Sequence, residues 1–197
     1  MKIKSFSLML AAVAILLTGC WQKSVYPYYT DKDVFFEPQL LGEWREADKD
    51  PAEATTWTFT RAEQDKVYRI HIKDKETTLD LNGRLFKLGD ETFMDMESRQ
   101  RSINEIPAHH LFRVPEIGAT VKIALQSGEF IKNWIEGHPN DLAHIRLNDP
   151  EHPDDADKGE YVLTDDTARL QKFVLAHFKD EGFFDSPNEL KKIEVKN

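Results

Sequence analysis

Over most of the chain, apolar and polar residues alternate. Trp57 and Phe59 stand against Thr56, Thr58 and Thr60, and Tyr68, Ile70 and Ile72 stand against Arg69 and His71. Side chains along a strand point alternately to opposite faces, so this pattern marks half-buried antiparallel strands. Leu79 and Leu81 precede Asn82-Gly83, and Leu85 to Leu88 follow. That arrangement predicts a tight hairpin, because asparagine and glycine accept the positive φ of a two-residue turn. Further strands are expected over Glu91 to Met96, Leu111 to Val114, Val121 to Leu125, Leu142 to Leu147 and Tyr161 to Leu163. About eight short strands suit a closed barrel or a sandwich.

Two segments leave this rhythm. After Ser127-Gly128-Glu129, the residues Phe130, Ile131, Trp134 and Ile135 have helical spacing, and Gly137 with Pro139 ends the run. This short inserted helix would pack through its aromatic residues or cap a barrel mouth. The second helix starts at Asp165-Asp166 with Thr164 as its cap and runs to about Phe178, its apolar face formed by Leu170, Phe173 and Val174. The fold class predicted is therefore mainly β: a single antiparallel barrel of about eight strands, with a short inserted helix and a C-terminal amphipathic helix. Residues 39–180 form that domain and 181–197 a C-terminal tail. Residues 20–38 read as a tether, packed on the domain through Tyr26, Tyr28, Phe35 and Phe36.

The N-terminus belongs to a different kind of segment. Lys2 and Lys4 precede an uncharged apolar run from Leu8 to Leu17, too short for an ordinary spanning helix and ending in small residues. Residues 1–19 are thus expected to be a removable signal. Leu17-Thr18-Gly19-Cys20 resembles the lipobox of bacterial lipoproteins, and that resemblance implies a lipid anchor on Cys20 and cleavage just before it. Cys20 is the only cysteine, so the chain has no internal disulfide to form. Two or three acyl chains, at about 0.8 kcal/mol per buried methylene, hold a domain at a membrane where one holds it marginally. In a Gram-negative host, the absence of aspartate at position 21 looks like the pattern of lipoproteins sent on to the outer membrane.

Removal of the signal leaves 178 of the 197 residues, enough for one domain with a sizeable core. The signal carries two lysines and no acid, so the formal charge of −9 becomes −11. Such a balance argues against nucleic acid as a partner, since phosphate binding draws on clustered lysine and arginine.

Leu41-Gly42-Glu43-Trp44 resembles the Gly-x-Trp signature that opens the first strand of lipocalins and related calycin barrels. The resemblance implies a barrel that encloses a small apolar ligand or presents a surface to another protein. The principal helix here follows the last strand recognised in the sequence, whereas lipocalins have a further strand after theirs.

Catalytic motifs are sparse. The sequence contains no Gly-x-Ser-x-Gly elbow, phosphate-binding glycine loop or His-Glu-x-x-His pair, and its one cysteine is the expected lipid site. His109 and His110 are adjacent, so on a strand they face opposite sides and would not share an ion. His138, His144 and His152 would need tertiary coincidence to meet, with His144 placed to face a barrel interior. The acidic run from Asn148 to Glu160 lacks the order of an EF-hand and reads as a solvated hairpin loop. No cofactor or metal is expected. The leading expectation is a non-enzymatic, lipid-anchored envelope module that binds a small apolar ligand or an envelope protein. The alternatives are an envelope enzyme with dispersed catalytic residues and an inhibitor of a foreign enzyme.

Overall fold

The computed structural model describes residues 21–99, 108–148 and 159–194. In chain order its strands are β1 (Lys23–Ser24), β2 (Val34–Phe35), β3 (Gly42–Glu46), β4 (Thr56–Arg61), β5 (Tyr68–Lys73), β6 (Thr78–Leu88), β7 (Glu91–Ser98), β8 (His109–Ile117), β9 (Thr120–Leu125), β10 (His144–Leu147), β11 (Glu160–Leu163) and β12 (Asn188–Lys192). Helix α1 (Gly128–Gly137) follows β9, and helix α2 (Thr167–His177) follows β11.

Eight of these strands close a ring. The order β8-β7-β6-β5-β4-β3-β12-β9 returns to β8, since β9 also pairs with β8, and every pairing in the ring is antiparallel. The result is a calycin-like barrel. Its eighth strand is β12, which comes after α2 and from the stretch expected to be a tail. The further strand seen in lipocalins is therefore present, hidden in the sequence because Asn188-Glu189-Leu190-Lys191-Lys192 has a single apolar residue. Leu190 is fully buried inside the ring.

Gly42 and Trp44 explain why a glycine and a tryptophan stand two apart at the first barrel strand. Gly42 adopts φ +121°, a conformation that side chains disfavour, and a Cβ there would lie 3.1 Å from Lys192 Cε. Trp44 is wholly buried, and its Nε1 donates to Leu40 O at 2.8 Å. That bond ties the 3-10 turn at Pro38–Leu40 across this end of the barrel.

Asn82-Gly83 is not a turn but the middle of the 11-residue strand β6. Gly83 serves close packing there: a Cβ would fall 2.4 Å from Ile70 Cδ1 and 3.3 Å from the Met94 sulfur. The actual hairpin is Gly89-Asp90, where Gly89 has φ +59° and Leu88 pairs with Glu91.

β10 and β11 lie outside the ring. With β1 they form a flap in the order β10-β11-β1 that is attached to β8. β9 pairs with β8 as far as Leu125, and β1 takes the adjoining position with Ser24 opposite His109. In chain order, the two helices with β10 and β11 thus form a lobe inserted between the seventh and eighth barrel strands, β9 and β12.

The two sides of the barrel wall carry separate cores. Inside are Trp44, Trp57, Phe59, Tyr68, Met94, Met96, Phe112 and their neighbours. Outside, Phe86, Phe93 and Leu111 pack with Tyr28, Ile131, Ile135, Leu163, Leu170, Val174 and Phe183. The double covering explains why Phe93–Met96 and His109–Phe112 are buried at every position, whereas β5 alternates strictly. Helix α1 begins at Ser127, whose hydroxyl accepts from Phe130 N, and it packs on the outer wall, so it does not cap the barrel mouth. The cap of α2 is Asp166, not Thr164: its carboxylate accepts from Arg169 N, while Asp165 is turned inward to accept from Ala143 N at 2.7 Å.

Candidate functional site

Cys20 lies outside the described residues, and Trp21 is the first of them. Trp21 bridges Ser127 at the fork where β9 leaves β8, and its ring meets His110 and Phe112 edge-on at 5.2 and 5.4 Å. Gln22 follows, with Nε2 donating to Tyr161 O at 3.0 Å and its own carbonyl accepting from His110 Nδ1 at 3.0 Å. Lys23 forms a 2.8 Å ion pair with Glu160. Residues 21–37 are therefore a strap. Thr167 Oγ1 donates to Pro27 O, and Gln171 Nε2 donates to Tyr28 O and Asp33 Oδ2, so α2 holds the strap from the other side.

Beneath the strap lies a polar network with no local sequence signature. Asp95 is 2% exposed; its Oδ2 accepts from Tyr28 N at 2.9 Å and its Oδ1 accepts from His109 Nδ1 at 2.7 Å. Tyr28 Oη donates to Gln126 Oε1 at 3.1 Å, and Gln126 Nε2 is buried without a partner among the described residues. Burial, and then the Asp95 charge, push the Tyr28 phenol far above its ordinary range. Tyr28 is thus a neutral donor at any physiological pH.

Asp95, His109 and Ser24 are the nearest approach to a catalytic constellation. Ser24 Oγ, however, donates to Tyr26 O at 2.8 Å and accepts from Tyr26 N, and the serine is fully buried. The network satisfies the polar groups brought in by the strap and ties them to the barrel.

The histidines divide as strand geometry requires. His109 faces Asp95 outside the barrel, and His110 faces Trp21. Burial lowers the His110 imidazole to about 4, against the raising effect of its bond to Gln22 O, so it is neutral near pH 7. His144 does not face the barrel interior. It sits on the flap, with its ring edge-on to Tyr161 at 5.3 Å and Nδ1 donating to Leu142 O. His138 stacks on Trp134 at 4.2 Å, and His177 contacts the same indole at 4.2 Å. His152 lies outside the described residues. Among the described residues, no group of three or more His, Cys, Asp or Glu is arranged to hold a metal ion.

Trp134 is half-buried between α1 and α2, flanked by Phe130 and Phe173. Its Nε1 is buried without a partner among the described residues. The aromatic bulk on α1 joins the two helices.

Deep in the barrel, Trp44, Tyr68, Leu85, Met94, Met96, Val121 and Leu190 have no exposed surface at all. A void wide enough for water would leave some of that surface accessible. In the same inner core, Trp57, Ile72, Leu81 and Leu125 keep 4 to 8% of theirs.

Comparison with family models, with curated proteins and with solved structures finds no match to this chain.

Proposed function

We propose that the protein is a lipid-anchored, non-enzymatic interaction module of a bacterial cell envelope, its calycin-like barrel held at the membrane by acylated Cys20. The observation that carries this reading is the firm packing of the residue that follows Cys20. Trp21, one residue beyond the lipobox-like Leu17-Thr18-Gly19-Cys20, is already paired with Ser127 and packed against His110 and Phe112. With Trp21 in place of aspartate, the anchor would follow the pattern of outer-membrane lipoproteins in a Gram-negative host.

The close packing of Trp44, Met94, Met96 and Leu190 inside the ring favours a partner that binds the surface of an envelope module over a ligand enclosed by the barrel. Native mass spectrometry of the protein extracted from membranes tests the choice. The interaction reading expects no small molecule beyond the covalent anchor, whereas a stoichiometric bound lipid, lost when Trp21 is changed to Ala or Arg, would overturn it in favour of a carrier.

A further inference from the structure

We infer that the exposed face of the flap at Ile145 and Leu147 rests on the bilayer, and that its partner is a zwitterionic phospholipid surface. The inference rests on the anchor reading above. Among the described residues, the large apolar side chains left exposed are Tyr26, Ile145, Leu147 and Leu175, and only Ile145 and Leu147 are neighbours on one face. They stand two apart on β10, at 39% and 38% exposure. Among the described residues β10 is the outermost strand of the flap.

The register places this pair beside the chain's point of entry. Ile145 is opposite Val162, and Val162 is opposite Lys23. Two strand spacings therefore separate Ile145 from Lys23, about 10 Å. Leu147 is opposite Glu160, whose carboxylate holds Lys23 Nζ at 2.8 Å. β1 is parallel to β11 and β11 antiparallel to β10, so the chain runs back from Lys23 toward Cys20 in the direction that β10 runs from Ile145 to Leu147. Cys20 is three residues before Lys23, a span of at most about 11 Å. A lipid on Cys20, with Trp21 already built into the fold, brings the bilayer to this face and leaves little slack to hold it away. Aliphatic side chains placed at the interface beside an anchor add to its hold. The formal charge of −11 left after cleavage before Cys20 sets the headgroup preference, because an anionic leaflet repels an acidic domain.

The test uses full-length protein extracted from membranes and reconstituted in phosphatidylcholine vesicles, with nitrobenzoxadiazole attached to Ile145→Cys, Leu147→Cys or Thr60→Cys. Thr60 is exposed on β4, four strands around the ring from β8. Spin-labelled lipid should quench the probe at 145 and 147 several-fold more than at 60, and mixing phosphatidylglycerol into the vesicles should reduce that difference. Equal quenching at all three sites, or none, overturns the proposal. Energy transfer between labelled copies at 147 that disappears on dilution with unlabelled protein also overturns it, since a second copy would then cover the face. A chain without acyl groups, in which Cys20 itself takes the label, defeats the anchor reading, whereas an acylated chain with an unquenched flap defeats only this inference.

Discussion

The Trp21 indole meets the His110 imidazole edge-on at 5.2 Å, and His110 Nδ1 donates to the carbonyl of Gln22 at 3.0 Å. One histidine thus reads the position of the first two described residues. Its neutral form is the one the fold holds, and burial is the main reason its value falls from 6.5 to about 4.

That shift fixes a pH dependence. Below pH 6.5 the unfolded chain takes a proton that the folded chain refuses until about pH 4, so stability present above pH 6.5 is lost as pH falls through this window. At about 1.4 kcal/mol per pH unit the loss approaches about 3 kcal/mol. His110→Asn keeps a donor for the Gln22 carbonyl and removes the proton uptake. Urea midpoints measured from pH 7 to 4 should fall less steeply in this variant than in the wild type.

The Tyr28–Gln126 bond predicts a non-additive pair. Tyr28→Phe strands the Gln126 side chain in the second core, at a cost of about 1 to 3 kcal/mol. Adding Gln126→Leu removes the stranded group and should recover much of the loss. A double-mutant cycle in urea reads this directly, and simple additivity would contradict the account of the network.

Closure by β12 makes the C-terminal segment indispensable. Leu190 is wholly buried between β3 and β9, so Leu190→Ala should cost about 2 to 5 kcal/mol. Deletion of residues 188–197 should abolish the cooperative unfolding transition. A truncated chain that melts like the full one would mean the ring closes without its eighth strand.

On α2, Leu170 and Val174 are fully buried, whereas Phe173 is half-buried against Trp134, His177 and Phe183. Leu170→Ala should therefore lower the urea midpoint more than Phe173→Ala, although phenylalanine is the larger residue.

The barrel was legible wherever one face of a strand is wet. β4 and β5 announce themselves by alternation, and Gly42-Glu43-Trp44 marks where the ring starts. Legibility ended where a second layer covers the sheet. In β8 both faces are buried, so alternation could not distinguish barrel interior from helical lobe. β12 escaped notice because its neighbours in the ring, more than its own hydrophobicity, hold it as a strand. Asn82-Gly83 misled for a related reason: the glycine that elsewhere makes a turn here makes room for Ile70. The Asp95–His109–Tyr28–Gln126 network joins positions up to 98 residues apart, and no local spacing reports it. His109 and His110, by contrast, were correctly divided between two faces by strand geometry alone.

The intact mass of the protein extracted from membranes reports whether Cys20 carries the anchor. The account predicts a chain that begins at Cys20 and carries a diacylglyceryl group, with Cys20→Ala accumulating as the unprocessed and unacylated 197-residue form. Wild-type protein that begins elsewhere or carries no acyl chain would contradict it.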